Sequence, residues 1–167
     1  MQWVESGGGP LILMAERDLS RWRGVDADPA QGPSDYERAC AVVDYVGVID
    51  VGDASALILG DEPFPTAWHS TDDGGILIRW VYSDSEASID AFLSNTNCKI
   101  CWTETGLSVP VPGQCVLFDA AEPGVDIRGE CLVLTLSAGD YAVRSAVVDP
   151  SDEVRLVLHE LSLVKRE

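Results

Sequence analysis

The second half of the chain is a succession of short apolar runs cut by turn signals. Cys98–Thr103, Gln114–Asp119, Cys131–Leu136, Tyr141–Val148 and Val154–Val164 read as strands, and PVPG, AEPG, SAGD and DPSD divide them. Each run has the length of a strand, and each divider holds the residues that tight turns use. Regularly spaced short strands of this kind fold as an antiparallel sheet or sandwich. In the last run Val154, Leu156 and Leu158 face one way, and Arg155 and His159 the other. That is the period-two pattern of a half-buried strand.

The first half mixes signals. Trp3–Glu5 and Leu11–Met14 read as short strands around the turn SGGGP, and Ala15–Trp22 as a short helix ending at Gly24. VDADPAQGPSD is loop. Ser34-Asp35-Tyr36-Glu37 is a capping box, in which serine and glutamate each satisfy the other's free N–H. It predicts a helix from about Asp35 to Tyr45, with Tyr36, Ala39, Cys40 and Val43 as its apolar stripe and Gly47 as its end. Val48–Val51 and Ala56–Leu59 read as strands, GDEPFP as a turn and Ile76–Tyr82 as a strand. Ser83-Asp84-Ser85-Glu86 predicts a second capping box, opening a helix that turns Ile89, Phe92 and Leu93 inward and ends near Asn95. The expected fold class is therefore α+β: mostly antiparallel sheet or sandwich, with about two to three helices in the N-terminal half. A chain of 167 residues can bury a real core, and no composition break divides it, so a single domain over residues 1–167 is expected.

Charge narrows the function. The chain carries 28 acids against 11 lysines and arginines, a net charge of −17. Residues 1–24 balance, whereas residues 25–90 run from Asp26 to Asp90 with only Arg38 and Arg79 in opposition. Such a surface is repelled by nucleic acid and by anionic membranes, so neither is an expected partner; a basic protein is the natural one. The plain alternative is that the acids serve solubility. The longest apolar runs are too short to span a bilayer. Met1 is followed by polar and aromatic residues rather than by a basic and then an apolar stretch, so a cytoplasmic protein is expected.

Catalytic and cofactor motifs are thin. SGGGP has neither the GxGxxG spacing of a dinucleotide fold nor the Lys-Ser/Thr of a P-loop, and an extended apolar run follows it, not a helix N-terminus. The five cysteines include one close pair, Cys98 and Cys101, and the two histidines, His69 and His159, lie far apart. One CxxC lacks the further ligands of a structural zinc, so no metal and no cofactor are expected. There is no GxSxG and no HExxH, and the abundant carboxylate pairs follow from composition. The expectation is a protein that is not an enzyme.

The stretches WVESGGGPLIL (Trp3 to Leu13), Trp22-Arg23-Gly24, Asp35 to Cys40 and Gly60 to Trp68 resemble the immunity protein 21 family of bacterial polymorphic toxin systems. VPGQCVLFDAA (Val111 to Ala121) and Ala138 to Tyr141 fit the same family less specifically. The resemblance implies a cytoplasmic α+β immunity protein that binds and neutralises a cognate toxin domain, a basic nuclease being one such kind. It carries over no catalytic residues. Its motif residues Trp3, Gly8, Gly9, Pro10, Trp22 and Gly24 read as structural. Trp22 keeps a second reading, because Trp22 with Arg23 is also the kind of pair that anchors interfaces. The further contact candidates are loop acids, whose side chains are free to face a partner: Asp26, Asp28, Asp53, Asp61, Glu62, Asp72 and Asp73. The alternative is a small regulatory or ligand-binding β-domain with a pocket lined by tryptophans such as Trp80 and Trp102. Oligomeric state is not legible.

Overall fold

The computed structural model describes residues 1–26, 28, 30–60, 62–95 and 99–165. Its strands are β1 (Trp3–Val4), β2 (Leu11–Ala15), β3 (Gly47–Val51), β4 (Ala54–Leu59), β5 (Thr66–Thr71), β6 (Gly74–Ser83), β7 (Thr103–Val111), β8 (Cys115–Asp119), β9 (Leu132–Leu134), β10 (Gly139–Ser151) and β11 (Val154–Leu163). They form a six-stranded sheet, β1-β5-β6-β11-β10-β7, and a five-stranded sheet, β3-β4-β2-β8-β9. Every pairing is antiparallel. Short helices complete the described chain: a 3-10 helix (Glu16–Arg21), α1 (Asp35–Cys40) and α2 (Glu86–Leu93).

The sheets pack face to face. Leu11, Leu13, Leu57, Leu59 and Leu117 of one meet Leu77, Val109, Tyr141, Val143 and Leu161 of the other. Each sheet also buries much of its outer face. Ile12, Met14, Ile58 and Phe118 pack under Trp22 and Ala39. Ile78, Leu156 and Leu158 pack under Ile89 of α2. Strands covered on both sides need apolar residues at every position, which is why LILMA in β2 is buried throughout. It also corrects the half-buried reading of β11. His159 does face away from Leu158, but it is fully buried, as are Val157 and Leu161.

Local signals set several elements. The Ser34–Glu37 box is complete: the Glu37 N–H donates to Ser34 Oγ at 3.1 Å, and the Ser34 N–H donates to Glu37 Oε2 at 2.7 Å. The helix it starts is shorter than expected, ending at Cys40 rather than Tyr45, so Cys40 and Val43 are exposed instead of lining a stripe. Three β-branched valines follow within six residues, a poor helical sequence. Val42 is needed elsewhere, packed against Gly47 and Gly60. Gly47 does not end a helix; it opens β3 opposite Ile58. The Ala15–Trp22 segment is the end of β2 and a 3-10 helix. The second capping box is not formed as read. Ser85 is the N-cap, accepting from the Ser88 N–H at 3.2 Å, and Glu86 pairs with the amino group of Met1.

The largest misreadings concern edges and turns. Lys99–Trp102 lies outside any strand, while TETGLSVPV forms β7, straight through the proline expected to mark a turn. Proline is tolerated because β7 is an edge strand. β10 likewise continues through Asp149 and Pro150 to Ser151. Strand β5 (Thr66–Thr71) was not expected at all; its last three residues are exposed and polar.

Candidate partner-binding surface

Three expected contact residues meet on one cavity. The loop after Trp22 folds back on α1, and Arg23, Asp26 and Asp28 join Asp35 and Arg38 around a volume of about 400 Å³. Much of this polar set is occupied in holding the loop. Asp35 accepts from the Arg23 N–H at 2.8 Å and from Arg38 Nη1 at 3.1 Å. Asp28 caps its own turn, accepting from the Ala30 N–H at 3.0 Å and from Gln31 Nε2 at 2.9 Å. Asp26 and Arg23 are exposed.

Trp22 is 1% exposed, and its Nε1 donates to the Ala120 carbonyl at 2.9 Å. Its ring therefore serves packing and offers no surface to a partner. Gly24 sits at φ +60°, and a Cβ there would strike the Ala121 carbonyl oxygen. Gly9 lies against the Tyr36 ring, which a Cβ there would displace. Gly8 is at φ +128°, and Pro10 is buried. Trp3 packs edge-on against Trp80, with ring centroids 5.2 Å apart. Trp102 lies under the Arg144 guanidinium at 5.0 Å. Trp80 and Trp102 are thus engaged in packing over the six-stranded sheet.

The other acids are scattered. Asp53, in the β3–β4 turn, pairs with Arg21. Asp73, in the β5–β6 turn, pairs with Lys165 at 3.1 Å, and Asp72 beside it is exposed. Glu62 is exposed in the β4–β5 loop. Asp61 lies outside the described residues. So does Cys98, which leaves the CxxC pair unplaced; Cys101 is exposed.

Sequence reasoning missed a larger concavity. The segment after α1, residues 41–48, and the start of β7 enclose a groove of about 550 Å³. β3 and β7 are edge strands of their sheets, so the groove runs along an open side of the sandwich. Val43 stands on its wall 86% exposed, and its charged lining residues are both acids, Asp44 and Glu104. Arg79, 1% exposed, holds the wall in place. Its Nη1 donates to the Tyr45 carbonyl at 2.8 Å, and its Nη2 to those of Gly60 and Glu62 at 2.8 and 2.7 Å. Ser145 also lines the groove, and its hydroxyl is hydrogen-bonded to His159 Nδ1 at 2.7 Å. Burial, and then the Arg79 charge, push the His159 pKa down to about 3. An imidazole so weakly basic is a poor general base at neutral pH, so the pair reads as an internal polar tie.

The sequence profile of the family described as Immunity protein 21 matches residues 2–154. The chain belongs to that family. No curated protein and no solved structure matches it. Membership makes this an immunity protein, and an immunity protein has a toxin as its partner. Immunity protein 21 is of a generally non-enzymatic kind. No helix among the described residues is long and apolar enough to cross a membrane.

Proposed function

We propose that this chain acts as a single α+β domain in the cytoplasm and neutralises a cognate bacterial toxin domain by stoichiometric binding, without catalysis or a cofactor. The observation that carries this reading is the family match over residues 2–154. The partner is basic. A net charge of −17 attracts a positive surface over a distance and repels nucleic acid. Nucleases fit such a partner, because the sites that hold phosphates are themselves basic.

The acids act through their combined field. Asp26 and Asp28 lie by α1, Asp53 and Asp72 in two different hairpin turns, and Glu62 in a third loop. This spread favours steering of the encounter over a single strip that imitates a nucleic acid backbone. The test is co-purification with the cognate toxin domain, sought first in the proteins encoded beside this chain. A 1:1 complex with loss of toxin activity is expected. A toxin that stays active and elutes separately would overturn the reading.

A further inference from the structure

We propose that the groove between residues 41–48 and β7 is the docking surface for the toxin, and that its occupant is an apolar segment of the toxin carrying lysine or arginine. This rests on the reading that the chain binds a toxin, and it names the surface. The first argument is charge. Asp44 and Glu104 are the charged residues on the wall, and both are acids, whereas the cavity by α1 mixes Arg23 and Arg38 with its acids, and Asp28, Asp35 and Arg38 are held in internal bonds. A groove of one sign selects a partner of the other.

The second argument is apolar surface. Val43 is the most exposed of the chain's large hydrophobic residues among those described, at 86%, and it shares the wall with Val48 and Leu107. Leaving a valine in water beside a concave site forfeits burial that a partner can supply. The third argument is rigidity. Arg79 fixes the Tyr45 carbonyl from inside the core, and Val46 is itself core, so the wall is preformed and little ordering is lost on binding.

The occupant inserts side chains; it does not extend the sheet. Thr105 and Gly106 bulge from β7 where Val143 faces Leu107 and Arg144 faces Glu104, with Gly106 at φ +73°. Pro110 then removes a backbone donor farther along the same edge. Bulges and prolines are the devices that stop strand addition at an edge.

The test uses the full chain and its cognate toxin domain. Val43→Arg and Glu104→Lys are compared with Glu153→Lys, an exposed acid in the β10–β11 turn, with binding measured by calorimetry and folding checked by thermal melting. Each groove change should weaken binding about tenfold or more, as central contacts do, and Glu153→Lys by no more than about twofold. Hydrogen exchange on the unsubstituted complex needs no variant. Slowed exchange at residues 41–48 and 103–107 is expected. Unchanged affinity in folded groove variants, or slowed exchange confined to other segments, would overturn the groove while leaving toxin binding intact. Failure of the unsubstituted chain to bind would overturn both.

Discussion

The indole Nε1 of Trp22 donates to the Ala120 carbonyl at 2.9 Å, joining positions 98 residues apart. The bond fixes the chain leaving the 3-10 helix against the residue just after β8, on the outer face of the five-stranded sheet. Trp22 fills that layer with Met14, Phe118 and Ile58. Trp22→Ala should therefore cost about 3–5 kcal/mol of stability, the range for a large buried side chain, read as a shift in the denaturant midpoint. A midpoint like that of the unsubstituted protein, with toxin binding lost, would place the ring at the interface instead.

Gly24 is the second fixed point of the same motif. A left-handed φ and the adjacent Ala121 carbonyl both exclude a Cβ. Gly24→Ala should destabilise the protein by roughly 1–3 kcal/mol, the scale of a strained backbone conformation. Chemical denaturation checks it, and an unaltered midpoint would mean that the loop relaxes freely.

His159 makes stability pH-dependent. It is neutral in the fold, with a pKa of about 3, and has an ordinary value near 6.5 when unfolded. Between those values the unfolded chain takes up a proton that the folded chain refuses, so stability falls as pH drops from about 6.5 toward 3 and is unaffected by this group at higher pH. The carboxylates held low by their partners, such as Glu37, add to the loss only from about pH 4.5 downward, below the interval from pH 7 to pH 5. His159→Gln should flatten the loss of urea stability between pH 7 and pH 5. An identical slope in the variant would show that His159 is not the titrating group.

The spread of acids leads to a kinetic expectation. The Debye length falls from about 10 Å at 0.1 M salt to about 3 Å at 1 M, so association with a basic toxin should slow steeply with salt. Dissociation should change less, because rim charges act mainly on the encounter. Stopped-flow rates for the unsubstituted chain and for a variant with Asp26, Glu62 and Asp72 changed to lysine check this. Equal salt dependence in the two would assign those acids to solubility alone.

What the sequence disclosed followed from locality. The Ser34–Glu37 box is three residues long and forms as read, whereas the Ser83–Glu86 match lost its cap to Ser85, two residues on. Trp22 and Gly24 read as packing residues because a tryptophan and a glycine at a helix end each have few uses, and both are buried. β7 was hidden because an edge strand with one wet face uses polar residues, glycine and proline, which otherwise mark a loop. The groove was hidden for a different reason. Val43, Glu104 and Ser145 are brought together only by the pairing of β7 with β10 and the return of the chain after α1, and no spacing announces that. His159 was read on the polar side of its strand and is buried instead, which it tolerates by staying neutral, whereas Arg79 stays inside because backbone carbonyls collect around it.

A calorimetric titration of this chain into its cognate toxin domain, at physiological salt, tests the proposed neutralisation most directly. A stoichiometry of 1:1 is expected, with toxin activity that falls in proportion to the chain added. Heat no larger than dilution, with the toxin still fully active at excess of the chain, would contradict it.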